Sequence, residues 1–404
     1  MDFSFSEEEN LWRKTVREFA EKNITPLVRE IEKSKQIPDT LLRKMGQLGL
    51  LAPTVSKEYG GVNLSWVMSC IAAEELGRAD LSLSIPVLYL VEAAWGFILN
   101  QYGSQEVKEE YLPRVTKGEA FCGIAVTEPT GGSDIVGSLQ TTAEKKGDKW
   151  ILNGEKMFIS GVAESHRIGG VHLTLARTDP SAGYRGFSLF AVPIRDVDGV
   201  SITLLEDMGR EGISTGGFKM ENVILPEYHL LGEVNKGFYY IMEGFSAART
   251  LIGATCVGVA EAGLEMGMEH IKTRNSFGRP IACFEGIQFP LAEHYTNIES
   301  VKLLTYKAAW MMDKLYQENS FSHHDIALYA AMSKLRAPQY AFEALNEVAD
   351  WLGALGYTRE YPIEMGIRGV RSYSIGAEGT LNIMRIIIAR ELLGREFLPY
   401  GVRR

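Results

Sequence analysis

Lys149-Trp-Ile-Leu-Asn-Gly-Glu-Lys-Met-Phe-Ile-Ser160 stands near the middle of the chain with the pattern of an extended strand, between two regions of helical period. Apolar and polar residues alternate along it, as in a half-buried strand, and Asn153-Gly154 is the strongest short hairpin signal in the chain. Gly147-Asp148 marks an earlier turn. Further strand-like segments follow at 172–177, 186–193, 200–205 and 218–226. Such regular spacing predicts a compact β domain, barrel or sandwich, over residues 121–232.

Both flanks have a different period. In residues 1–120, Leu11, Val16 and Phe19 form a helical stripe, Pro26 interrupts it and Thr40 opens a second run. A Gly-rich loop, KEYGG at 57–61, precedes helical segments at 64–77 and 87–101. In residues 233–404, long periodic runs at 237–273, 287–318, 324–352 and 379–393 predict an antiparallel four-helix bundle. The expected fold is therefore α+β: an N-terminal helical domain, a central β-barrel or sandwich domain and a C-terminal four-helix bundle.

A net charge of −9 over 404 residues disfavours nucleic acid and anionic membrane surfaces as partners. No stretch approaches the ~18 unbroken apolar residues of a membrane span. The acidic start, MDFSFSEEENLWRK, lacks the basic-then-apolar order of a signal peptide. Cys70, Cys122, Cys256 and Cys283 lie far apart with no CxxC pair. They are expected to be buried small hydrophobes in a cytoplasmic protein, with no metal site.

Four segments have residue types suited to chemistry. In Thr127-Glu-Pro-Thr-Gly-Gly-Ser-Asp134, paired glycines and flanking hydroxyls suit phosphate, although a plain turn has the same composition. Phe158 and Ser160 would share a strand face, where a planar ring could pack and meet a hydroxyl. Arg274 and Arg279 flank a helix stop and suit either its carbonyls or a pyrophosphate. Ile375-Gly-Ala-Glu-Gly-Thr-Leu-Asn382 places Glu378 in the first turn of the last helix. That position alone suits a dipole-stabilising carboxylate, but Gly376, Ala377 and Gly379 clear space for a small molecule to reach it. No GxGxxG or Walker loop supports a Rossmann or P-loop nucleotide site.

Taken in order, the motifs resemble the acyl-CoA dehydrogenase family. They run from EYGG at 58–61 and Glu74-Glu-Leu, through Tyr111-Leu-Pro, Gly118-Glu119, Thr127-Glu-Pro, Gly132-Ser-Asp and Asn153-Gly-Glu-Lys. They continue with Arg249, Arg274, Phe277-Gly278, Pro280-Ile281 and Leu291-Ala-Glu293, and close with Gly356-Tyr, Glu360-Tyr-Pro362 and Glu378-Gly-Thr380. The resemblance implies FAD between the β domain and the C-terminal helices, with a neighbouring subunit completing each site in a homotetramer. It implies Thr127 at the flavin ring and Ser133 by the pyrophosphate or the substrate's pantetheine. It puts Phe158 where relatives usually have Trp, and Ser160 by N5. Arg274 and Phe277 would reach the partner subunit's FAD, and Thr380 and Asn382 would touch FAD from the last helix.

For the substrate, the resemblance implies an acyl-CoA, with Arg249 near the thioester end and Gly379 beside the base. Glu378 would remove the α-proton while hydride leaves the β-carbon for flavin N5, and an electron-transfer flavoprotein would take the electrons. The backbone N–H of Glu378 and a ribityl hydroxyl would hold the enolate oxygen. Some relatives carry the base beside the Arg249 position, which here is Ala248.

Departures from the family pattern include Phe158, Glu285, Asp350, Gly353-Ala354 and Arg368-Gly369, with one extra residue before Glu378. Glu92, on the helix that the resemblance places along the acyl pocket, is expected on that helix's wet face. The sharper reading makes it a second acid/base group for a cyclic or unsaturated acyl chain. Two alternatives stay open: a related flavoenzyme that uses oxygen or eliminates without net oxidation, and a helical scaffold whose FAD site has decayed.

Overall fold

A computed structural model describes residues 3–398. The N-terminal part is helical: α1 (Glu7–Asn23), α2 (Val28–Ser34), α3 (Asp39–Leu48), α4 (Trp66–Ala79), α5 (Ser84–Tyr102) and α6 (Gln105–Val115). Ser6 and Glu9 form a capping box on α1, and Ser65 and Ser104 cap α4 and α6, so backbone N–H groups at these ends are satisfied. The α1 stripe differs from the one expected. Val16 and Ala20 are buried, whereas Leu11 faces solvent. The buried carboxylates of Glu74 and Glu75 on α4 pair with Arg13 and Arg17 of α1. Burial opposes ionisation of Glu74, but Lys302 and Arg13 hold its carboxyl below the usual range.

The middle of the chain is β1 (Phe121–Ala125), α7 (Ile135–Ser138), β2 (Thr142–Lys146), β3 (Lys149–Ser160), α8 (Val162–Ile168), β4 (Gly170–Arg177), β5 (Phe187–Val192), β6 (Val200–Leu205), β7 (Thr215–Pro226) and β8 (Leu230–Leu231). Seven strands follow the order β6-β7-β3-β2-β4-β5-β8, and β1 pairs in parallel with β4. Trp150, Leu152, Ile159, Phe190, Phe218 and Val223 form their own apolar core.

The Asn153-Gly154 turn is not formed; β3 runs straight through it, and the hairpin turn lies at Gly147-Asp148. Asn153 instead serves a bulge on β7. Asn222, in the left-handed region at φ 55°, donates its N–H to Asn153 Oδ1 at 2.7 Å. Gly154, at φ +147°, lets Thr141 approach; a Cβ there would lie 2.4 Å from the Thr141 hydroxyl.

The C-terminal part contains α9 (Gly237–Thr273), a small ribbon of β9 (Asn275–Ser276) and β10 (Arg279–Pro280), then α10 (Glu285–Glu318), α11 (His323–Leu352), α12 (Ile363–Ile375) and α13 (Leu381–Leu393). All four expected runs are helices, and α12 joins them. Long and apolar enough to cross a membrane, α9 has 78% of its apolar window buried inside the protein. Its apolarity has a packing cause: it lies against α4, α5, α10 and α11. Cys70, Cys122 and Cys256 are buried as expected, but Cys283 is exposed on the segment before α10.

Candidate active site

The turn at 376–379, between α12 and α13, carries Glu378. The residue stands outside the helix, not in its first turn; Thr380 is the N-cap of α13 and its hydroxyl accepts from the Ile383 N–H. Ala377 and Glu378 both lie in the left-handed region, at φ 36° and 57°. Such conformations cost roughly 1–3 kcal/mol per residue for side chains other than glycine and persist where surrounding contacts enforce them.

Those contacts come from two buried cations. Arg249 on α9 donates from Nε to the Glu378 carbonyl oxygen at 2.9 Å. Lys334 on α11 donates from Nζ to the Gly376 carbonyl oxygen at 3.2 Å and also to that of Gly379. Burial pushes the half-buried Glu378 carboxyl up to about 7, against the opposing charges of Arg249 and Lys334. Burial likewise lowers Arg249 to about 10 and Lys334 to about 7.

The wall near the base is aromatic. Trp95 on α5 packs edge-on against Phe245 of α9, with ring centroids 5.6 Å apart, and the Arg249 guanidinium lies 5.4 Å from the Phe245 ring centre. Gly244 admits the indole; a Cβ there would fall 2.3 Å from it. Trp95 Nε1 has no well-formed hydrogen bond, yet its N–H lies close enough to favour the Glu378 carboxylate. One turn earlier on α5 stands Glu92, and here the expectation of a wet face fails. Glu92 is 2% exposed, its Oε2 has no partner, and burial pushes its carboxyl well up. The cause is the packing of α5, which is buried nearly all round.

A second group forms on the β domain. Phe158 is 62% exposed at φ +61°, beside a bulge in β3, and Ser160 follows two residues on. The Met157 N–H donates to the Thr127 carbonyl at 3.0 Å, tying the 127–134 loop to this strand. Buried Lys156 and Glu128, 2.9 Å apart, lock the same junction. Ser160 is engaged from a side that the sequence did not suggest: Arg210 Nη1 donates to its hydroxyl at 3.0 Å. Arg368 on α12 donates to the Met208 carbonyl at 2.9 Å, so the segment holding Arg210 docks on the C-terminal helices. Ser133 is exposed on the 127–134 loop.

The remaining expected residues lie outside these groups. Arg274 is exposed, and Phe277 is 95% exposed at φ 49°. Asn382 is exposed and accepts from Arg385 at 2.8 Å. Glu285 and Asp350 are also exposed, so neither carries a buried charge within this chain. Lys334 and Arg210 escaped the sequence reading, and Lys156 entered it only as the last residue of the Asn153-Gly-Glu-Lys motif, with no role.

Three family models match the chain in order: acyl-CoA dehydrogenase N-terminal domain over 6–119, middle domain over 123–223 and C-terminal domain over 235–393. A 3-(aryl)acrylate reductase from Clostridium sporogenes is 36% identical, with 96% of this chain and 99% of the relative covered. The chain belongs to the acyl-CoA dehydrogenase family.

Solved family structures superpose closely. A glutaryl-coenzyme A dehydrogenase in complex with glutaryl-CoA gives a TM-score of 0.90 at 32% identity, covering 97% of both chains. A chain from a structure of the electron transferring flavoprotein of Acidaminococcus fermentans gives 0.88 at 31%, covering 97% of this chain and all of that one. This member of the acyl-CoA dehydrogenase family is an FAD-dependent oxidoreductase acting on an acyl-CoA. Its own residues fit a flavin. An exposed aromatic held in a strained left-handed conformation at Phe158, with hydroxyls at Thr127 and Ser160 nearby, suits a flat heteroatom-bearing ring.

Proposed function

We propose that this member of the acyl-CoA dehydrogenase family oxidises the Cα–Cβ bond of an acyl-CoA thioester to an enoyl-CoA, with Glu378 as the base. The observation that carries the reading is the Glu378 carboxyl itself. It projects from a strained turn, its backbone is held by buried Arg249, and burial raises it to about 7. A thioester α-proton is only weakly acidic, so a base of raised pKa in a fixed position is what its removal requires. Bound FAD supplies the hydride acceptor for the β-carbon. In this reading the Glu378 N–H helps hold the enolate oxygen and Gly379 leaves room for the thioester. Arg249 acts through the Glu378 backbone at the thioester end.

Thr127, Phe158 and Ser160 are proposed to hold the flavin ring, with Ser133 near the pyrophosphate or pantetheine. Thr380 and Asn382 are proposed to meet FAD from α13, and Arg274 and Phe277 to meet the partner's FAD across a homotetramer. The near-complete exposure of Phe277 supports a covering subunit, and light scattering that finds a monomer would contradict it. A cytoplasmic location and an electron-transfer flavoprotein as acceptor complete the proposal; the Acidaminococcus fermentans structure supports the acceptor.

A short, branched or cyclic acyl chain suits the aromatic wall of Trp95 and Phe245. No arginine or lysine stands on α5 to meet a dicarboxylic acyl end. The Clostridium sporogenes relative favours a second reading, the same bond change run toward the saturated product, with Glu378 returning the proton. Anaerobic bleaching of the yellow protein by an acyl-CoA panel tests the first; bleaching by none, with oxidation by the enoyl-CoA after reduction, would favour the second.

A further inference from the structure

Lys334 occupies a position on α11 where a packed helix ordinarily carries an apolar side chain. It is fully buried, as is its neighbour Ser333, whose hydroxyl meets that of Thr305 on α10 at 2.7 Å. A buried ammonium needs a partner, and a long lysine side chain ordinarily carries its head to water. This one stays inside the protein. Among the described residues no carboxylate lies within ion-pair distance of Nζ, which spends its N–H donors on the carbonyls of Gly376 and Gly379. Arg249 takes the carbonyl of Glu378 between them. Two cations from two long helices thus hold three of the four carbonyls in the 376–379 turn. The turn needs holding, because Ala377 and Glu378 both stand in the left-handed region.

We infer that Lys334 is a positioning residue for the catalytic base: with Arg249 it clamps the 376–379 turn so that the Glu378 carboxyl faces the substrate. The inference rests on Glu378 being the base, as proposed above. The groups that face Glu378 are Arg249 from α9, Lys334 from α11 and the Trp95 N–H from α5. Lys334 faces Arg249, Glu378 and the Cys256 thiol of α9, and Arg249 also feels Arg390 of α13. Burial, acting alone, drives Glu378 up and Lys334 down. Each is the other's partial remedy. While protonated, Lys334 is one of the two charges that favour ionised Glu378, so its removal should raise the carboxyl further and shift the base's action to higher pH.

Lys334→Met and Lys334→Gln, prepared as FAD-loaded enzyme beside Glu378→Gln, test this. Lys334→Met is expected to keep stoichiometric FAD by visible absorbance and to keep its KM for acyl-CoA within about threefold. Its kcat should fall about tenfold or more through misplacement of the base. The acid limb of its kcat/KM profile, which reports the free enzyme, should move up by about one pH unit, the size of effect that loss of a nearby charge produces. Lys334→Gln, which keeps an N–H donor without the charge, should regain part of kcat but not the position of the acid limb. Parent kcat in Lys334→Met would overturn the inference. So would a loss of kcat with an unmoved acid limb, or failure of both variants to fold, since either leaves Lys334 a packing residue. Full activity in Glu378→Gln would instead overturn the assignment of the base, whereas a dead Glu378→Gln beside an unaffected Lys334→Met would overturn this inference alone.

Discussion

Arg249 meets Glu378 at its backbone and not at its carboxylate: Nε donates to the Glu378 carbonyl oxygen at 2.9 Å. An arginine salt-bridged to the carboxylate would pull its pKa down and occupy its oxygens. Bonded to the carbonyl, it fixes the turn and leaves the carboxyl for a substrate.

Arg249→Lys should therefore damage catalysis more than binding. An ammonium cannot reproduce the planar guanidinium fork that reaches the carbonyl while lying over Phe245. A fall in kcat of about 10²-fold is expected from a misplaced base, with KM within about threefold. Steady-state kinetics check it; a KM effect alone would assign Arg249 to substrate binding.

The pH dependence follows from the raised carboxyl. Glu378 acts as a base only when ionised, and burial lifts it to about 7. The kcat/KM of the free enzyme should rise about tenfold per pH unit below that value and level off above it. An acid limb near an ordinary carboxylate, ~4, would contradict the burial argument.

Glu92 supplies a test of both stability and specificity. Its buried carboxyl has an unpartnered Oε2 and is pushed toward the neutral form by burial, so Glu92→Gln should fold normally. Glu92→Leu should stabilise the fold by about 1–3 kcal/mol, the usual penalty of an unsatisfied buried polar group. If Glu92 is a second acid/base group, turnover of cyclic or unsaturated acyl-CoAs should fall at least about tenfold in Glu92→Gln while saturated straight chains are spared. Unchanged turnover and substrate range would reduce Glu92 to a core residue.

Lys156 and Glu128 make the junction between the 127–134 loop and β3 vulnerable. Breaking a buried pair by removing one partner strands the other charge, typically at about 3–5 kcal/mol. Lys156→Met should lower the melting temperature and loosen FAD, measured by retention on gel filtration. Undiminished FAD retention would show that the pair does not set the flavin-facing surface.

The three-part architecture was legible because strand and helix periods differ and change near residues 120 and 233. Local chemistry was less so. Asn153-Gly154 has the composition of a hairpin turn, but a bulge on the neighbouring strand uses the same asparagine amide. Glu92 looked wet because a single carboxylate in an apolar run ordinarily marks a solvent face, and only the packing of α5 on all sides shows otherwise. The burial of Lys334 and Lys156 was hidden for the same reason in reverse: a lysine between serine and leucine, or in an alternating strand, reads as exposed. Glu378 was found from the small residues around it. Its place outside the helix, in a left-handed turn, depends on Arg249 and Lys334, which lie 129 and 44 residues away along the chain.

The most direct test of the account is anaerobic titration of the FAD-loaded enzyme with a panel of acyl-CoAs, in parent and Glu378→Gln. The account predicts that at least one acyl-CoA bleaches the parent flavin absorbance, and that Glu378→Gln binds FAD equally but is not bleached by that thioester. Bleaching of Glu378→Gln at the parent rate would contradict it.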